Sequence, residues 1–284
     1  MLKNHPTIHS TLSVDQDMTN PSYNYRFITS LGSSRLYSNQ YDKMLYINSS
    51  NDLNVNKVES AGQDFKIDLY KVFEQWLKDD VDINQYYKNW LEKDVDNVNS
   101  DSKIKNEKVF IKSKISDHAP VFTDIQVKTD TILPTIQLSE ILIPDTNYHK
   151  QKNTIRIAHW NILNYGLALN SSKSKLNEIK IKAKMIANIA YNSGFDIVGL
   201  TEINNGKGES VQFILDELNK MDKSQSYQMI IQNVADTNIP EALLLSNQFG
   251  RAQQEQVAVI YNKKIAQIND AWSYISPIKN YAKD

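Results

Sequence analysis

The stretch 154–204, TIRIAHWNILNYGLALNSSKSKLNEIKIKAKMIANIAYNSGFDIVGLTEINN, restricts the possible folds most, because it reads as strand, loop, helix, strand. In the first strand Ile155 and Ile157 take one side and Arg156 and Ala158 the other, the period-two pattern of a half-buried strand. Leu176, Ile179, Ala183, Ile186 and Ala190 fall on one helical stripe, as a helix packed on a core requires. Gly194 ends that helix, since glycine takes the left-handed conformation without a Cβ clash. The next run, FDIVGL, is apolar throughout and predicts a central strand covered on both faces. Two adjacent strands finishing on the same side bring the amide of Asn161 and the carboxylate of Glu202 to one sheet end. Hard oxygen donors of this kind suit Mg2+, Mn2+ or Ca2+. Each residue also has a plainer reading: Asn161 and Asn164 as turn closers, Glu202 as a cap, His159 as a sheet residue beside Trp160.

The length of 284 residues accommodates one large α/β domain or two small ones. There is no cysteine, so disulfides and thiolate metal sites are excluded. The five histidines are scattered without HExxH or paired spacing, which argues against zinc. A net charge of −1 gives no global attraction to nucleic acid, so phosphate binding would have to come from local patches. The opening MLKNHPTIHSTLSV lacks the apolar core of a signal peptide, and no apolar run is long enough to span a bilayer. As written, the chain is expected in the cytoplasm.

Along the chain, residues 1–22 read as a loose polar leader. Asp42 precedes a strand, KMLYI, and by itself reads as a turn aspartate. Phe65, Leu69, Val72 and Trp76 follow helical spacing, and Tyr86, Tyr87, Trp90 and Leu91 form a second set; both are read as core-facing. Residues 95–114 begin as loop and then carry Lys103, Lys105, Lys108, Lys112 and Lys114, either a track for a phosphate backbone or a solvated edge. ISDHAPVFTDIQV follows, its second part alternating as a strand. Residues 128–152 read as a linker. Asp145 and Asn147 there form an Asp-x-Asn, but so do 52–54, 82–84 and 236–238, so the pattern carries little weight. Beyond the central stretch, VQFILDELNK predicts a helix, YQMIIQN and QEQVAVIYNKK strands, and EALLLSNQF either. The lysines Lys173, Lys175, Lys180, Lys182 and Lys184 are expected to solvate the outer face of their helix.

Five pieces, IRIAHWNILNYG, FDIVGLTEIN, QEQVAVIYNKK, QYDKMLY and SDHAPV, together resemble the endonuclease/exonuclease/phosphatase superfamily, with the nearest likeness to mycoplasma-type membrane nucleases. The resemblance implies an α/β fold of two packed mixed β-sheets flanked by helices, a deoxyribonuclease I-like sandwich. It implies a divalent-metal-dependent nuclease that hydrolyses DNA or RNA backbone with little base selectivity. Asn161, Glu202 and Asp117 would serve the metal, Mg2+ or else Mn2+ or Ca2+. His118 with Asp42 would be the acid/base pair, the aspartate fixing the imidazole tautomer, and Glu255 a supporting carboxylate. Lys112, Lys114 and Asn164 would contact substrate. Related nucleases are membrane-associated or secreted.

The order departs from the family's. There the HWN and TEIN motifs come first and SDH last; here the carboxyl-half-like segment occupies 23–127 and the amino-half-like segment 153–284. The middle segment, with a catalytic histidine and a Gly-Asp-x-Asn motif, has no counterpart in this sequence, which leaves Glu255 without its partner. The fold is therefore expected to be permuted and incomplete, with exposed sheet edges open to self-association. Three outcomes follow: a permuted domain with weak nuclease activity, an inactive remnant of two adjacent copies, or a nucleic-acid or partner-binding protein on the same scaffold. The first requires Asp42, Asp117 and His118 to face Asn161 and Glu202 across one cleft.

Overall fold

A computed structural model describes residues 8–10, 28–31, 37–39, 42, 44–47, 53–55, 66–93, 103–127, 150, 153–168, 170–237 and 254–273. The strands are β1 (Ile8–Ser10), β2 (Ser30–Leu31), β3 (Tyr37–Asn39), β4 (Leu45–Ile47), β5 (Leu53–Val55), β6 (Val121–Val127), β7 (Thr154–Tyr165), β8 (Ile197–Asn204), β9 (Tyr227–Ile231) and β10 (Glu255–Asn262). The helices are α1 (Leu69–Asp79), α2 (Val81–Lys93), α3 (Lys103–Phe110), α4 (Lys173–Asn192) and α5 (Val211–Met221). A π-helical turn, Ile111–Ile115, continues α3 toward the SDH motif.

Six strands build one mixed sheet in the order β5, β6, β7, β8, β10, β9. Only β7 and β8 run parallel, joined by α4 as such a crossover requires. The remaining neighbours are antiparallel. The fold is thus mixed α/β. Among the described residues the other sheets are two-stranded pairs, β1 with β4 and β2 with β3. Residues 8–10 are therefore not wholly loose, since they pair with 45–47.

Pairing across β6 and β7 joins the two segments of the chain. Thr123 lies opposite Ile157, Asp124 opposite Arg156 and Phe122 opposite Ala158. One face of the sheet is closed: Phe122, Ala158, Trp160, Val198, Leu200, Ala258 and Ile260 share a core with side chains of α1, α2, α4 and α5. The opposite face, with Ile155, Ile157 and His159, is partly exposed. Strand β8 follows suit, Val198 and Leu200 buried and Ile197 and Gly199 only half-buried. The apolar character of FDIVGL on both sides therefore does not translate into equal cover.

Arg156 sits on the closed face, and it survives there because it is fully paired. Its Nε donates to Asp124 Oδ1 at 2.7 Å and its NH2 to Asp124 Oδ2 at 2.9 Å. Its NH1 donates to Ser193 O at 2.8 Å. The guanidinium lies 4.3 Å over the Phe122 ring, a stacked cation–π arrangement. Asp196 accepts the Arg156 backbone N–H at 2.7 Å and pairs with Lys150.

Capping explains the helix starts. Asp68 accepts from Tyr70 N at 3.0 Å to open α1, and Ser172 precedes α4 as its N-cap. Gly194, at φ 69°, ends the α4 region as its left-handed preference predicts. Of the expected stripe, Ile179, Ala183, Ile186 and Ala190 are buried, joined by Met185, Ala187 and Ile189, while Leu176 is only partly covered. EALLLSNQF, Asp145, Asn147 and nearly all of 128–152 lie outside the described residues.

Candidate active site

Strand β7 does not finish at Asn161 as the pattern predicts, but runs on to Tyr165 through an irregularity. Asn161 stands opposite Thr201, and the register then shifts so that Tyr165 meets Ile203. The residues in that shift carry left-handed backbone: Leu163 at φ 49°, Asn164 at φ 46° and Glu202 at φ 58°. Left-handed conformations are costly for residues with a Cβ and collect where a site over-determines the chain. Asn161 holds the distortion in place. Its Oδ1 accepts from Leu163 N at 3.0 Å and its Nδ2 donates to Glu202 Oε1 at 2.5 Å.

The SDH motif arrives at the same sheet end, because β6 runs antiparallel to β7 and begins where β7 approaches its finish. Ser116 Oγ donates to Asn161 O at 2.7 Å and accepts from His118 N at 2.9 Å. Trp160 Nε1 donates to His118 O at 2.8 Å. Residues 28–31 clamp the other side, with Leu31 N bonded to Asp117 O at 2.6 Å and Ala119 N to Thr29 O at 2.8 Å.

Asp42 completes the cluster. His118 Nδ1 lies 2.8 Å from Asp42 Oδ2, and since a carboxylate only accepts, Nδ1 carries the proton and Nε2 is the basic nitrogen. Burial pushes the His118 imidazole down, but the Asp42 hydrogen bond and charge, with Asp117 and Glu202, hold it above its ordinary value. Burial raises Asp42, yet hydrogen bonds from His118 and Thr29 and the charge of two histidines bring it below the usual carboxylate range. The second histidine is His159, whose Nδ1 is 3.8 Å from Asp42 Oδ1 and whose Nε2 is 3.2 Å from Thr201 Oγ1. Burial keeps this imidazole below its ordinary value, Asp42 opposing.

The structure therefore gathers Asp42, Asp117, His118, Asn161 and Glu202 at one end of one sheet. Glu255, exposed at the start of β10 and paired with Asn204, lies near enough for burial and then the Glu202 charge to raise its carboxyl. Asn164 is exposed in the distorted stretch, its carbonyl accepting from Asn204 Nδ2 at 2.8 Å. Lys112 is exposed on the π turn, and Lys114 pairs with Glu178 at 3.8 Å.

Sequence reasoning missed several members. Ser116 was read only as part of SDHAPV and His159 only as a sheet residue beside Trp160, and Thr29 stood in no motif. Lys182 must be corrected outright. It does not solvate the outer helix face: its Nζ donates to Leu163 O at 2.9 Å. Burial pushes it down to about 8, while Asp117 and Glu202 pull the other way and Lys114 adds to the fall. A signal was present, because Lys182 stands three residues from Ile179 and four from Ile186 on the inward stripe. Lys184 likewise reaches across to the α1–α2 junction, bridging Asp80 and Asp82 at 3.1 and 2.9 Å.

A divalent metal is the group that the resemblance implies here. Asp117 Oδ1 is buried with no hydrogen-bond partner among the described residues, an arrangement that favours a cation beside it. Glu202 adds a second carboxylate. Asn161 Oδ1, with one donor bound, retains a lone pair. These hard oxygens fit Mg2+ or Mn2+ in donor type. Among the described residues no three His, Cys, Asp or Glu side chains form a metal-holding group by themselves, so water would have to complete the coordination.

The site thus defines an α/β protein with a histidine–carboxylate pair beside an oxygen-donor cluster at the ends of parallel strands. No family model matches the chain, and no solved structure matches it. It is similar to an uncharacterized protein of Mycoplasma pneumoniae, 28% identical over 139 residues, 47% of this chain and 27% of that protein. The chain's match spans about a quarter of that relative's length. No helix among the described residues is long and apolar enough to cross a membrane.

Proposed function

We propose that this chain is a divalent-metal-dependent phosphodiester hydrolase acting on DNA or RNA backbone, on a permuted sandwich related to the endonuclease/exonuclease/phosphatase superfamily. The observation that carries the reading is convergence. Residues separated by up to 160 positions, Asp42 and Glu202, meet at one sheet end, and three residues there hold left-handed backbone. A bound Mg2+ or Mn2+ would be held by Glu202, Asp117 and Asn161, and would polarise a phosphate oxygen. Asp42 orients His118, whose Nε2 exchanges a proton with the attacking water or the leaving oxygen. Asp117, preceding His118, adds the negative charge that keeps the imidazole basic. Lys112 and Asn164, both exposed, would contact the backbone without reading bases.

A plasmid-nicking assay in Mg2+ tests this reading, comparing the wild type with His118→Ala. Metal-dependent nicking that falls by ~100-fold or more in the variant is expected, the usual scale for losing an acid/base group. Absence of nicking, or nicking indifferent to His118, overturns it. One observation favours a second reading, a non-catalytic nucleic-acid or partner-binding protein. The Asn161 amide N–H bonds to Glu202 directly, closing part of the donor set that catalysis would open.

A further inference from the structure

We propose that Lys182 is the site's resident counter-cation, its ammonium fixed on the Leu163 carbonyl within electrostatic reach of Asp117 and Glu202 and so setting how tightly the divalent metal binds. The inference rests on the hydrolase reading for the identity of the metal, but the lysine's placement stands on its own geometry. Lys182 Nζ is anchored 2.9 Å from Leu163 O. Leu163 is the left-handed residue whose N–H is gripped by Asn161 Oδ1. The ammonium is thereby tied to the backbone distortion that aims Asn161 at Glu202. One N–H is used on that carbonyl, and a lysine has three.

Three further facts give the placement a purpose. Asp117 and Glu202 are the anionic charges that act on Lys182. Asp117 Oδ1 is a buried acceptor without a hydrogen bond among the described residues. Neighbouring lysines on α4, Lys173, Lys175 and Lys180, are exposed; Lys182 differs in lying on the inward stripe. Two carboxylates drawn together repel each other, and a fixed positive charge between helix and sheet relieves that repulsion before any metal arrives. The same charge opposes a dication entering beside it. Lys182 is accordingly a positioning residue that preassembles the carboxylates and weakens metal binding.

Binding of Mn2+, followed by the electron paramagnetic resonance of the free ion, tests this without an activity measurement. Lys182→Gln and Lys182→Met, the second preserving the packing of the stem, should each tighten Mn2+ by ~10-fold, the scale of one unit charge removed at short range. Lys182→Arg keeps the charge and should stay within about twofold of the wild type. Glu202→Gln in the Lys182→Gln background should abolish the gain. Unchanged or weaker Mn2+ binding in both neutral variants overturns the inference and leaves the hydrolase reading intact. Binding in the neutral variants but not in the wild type upholds the inference and overturns the wild type as a metal enzyme. No binding in any form overturns both.

Discussion

Asp124→Ala cuts the chain's two segments apart at their most tightly paired point. Asp124 and Arg156 are opposite each other on β6 and β7, both fully buried, and joined by two hydrogen bonds of 2.7 and 2.9 Å. Removing one partner of a buried pair leaves an uncompensated charge, at a cost of roughly 3–5 kcal/mol. The low end applies here, about 3 kcal/mol, because Arg156 keeps Ser193 O and the Asp196 charge acts on it. Urea unfolding provides the assay, read by far-ultraviolet circular dichroism and by tryptophan fluorescence. Trp160 is a fitting reporter, being fully buried with its indole N–H on His118 O. The midpoint should fall in both signals together, with one transition throughout. Asp124→Ala combined with Arg156→Met should recover most of the loss, since no charge is then left buried. A cost below about 1 kcal/mol, the range of an exposed pair, would refute the seam. So would a double variant no better than the single.

Two other outcomes follow from the site. The Asp42–His118 pair makes stability depend on pH with a defined sign. His118 is held above its ordinary value, so its contribution is complete below about 6.5 and fades as pH rises through its elevated native value. Asp42 is held below its ordinary value, so its contribution is present above about 3.9 and fades as pH falls through its depressed native value. The Tm difference between wild type and Asp42→Asn should therefore be widest near pH ~5 and narrow above pH ~8, and a difference flat across pH in calorimetry would contradict the pairing. Glu202 holds φ 58°, so Glu202→Gly should be more stable than Glu202→Ala by about 1 kcal/mol, reversing the usual order of those residues. Equal or inverted stabilities in chemical denaturation would mean that the backbone there is not strained.

Local chemistry was enough to read most of the elements, though not α3, whose stretch read only as a lysine-rich run. Alternation gave β7, the apolar stripe gave α4, Gly194 gave its end, and the apolar periodicity read over 63–94 gave α1 and α2, which begin only at Leu69, because periodicity and capping act over a few residues. The residues Asp42, Asp117, His118, Asn161 and Glu202 were likewise legible as chemistry in search of a place. Adjacent parallel strands made the meeting of Asn161 with Glu202 legible, but not that of Asp42, Asp117 and His118 with them. It depends on β6 pairing with β7 across a chain order that local pattern does not encode, and on a register shift that turns Asn161 toward Glu202. Lys182 makes the same point at a single side chain. By composition it is one lysine among five on a charged helix; its place on the inward stripe hinted at burial, but only the packing of that helix against the end of β7 turns its ammonium from water to the Leu163 carbonyl.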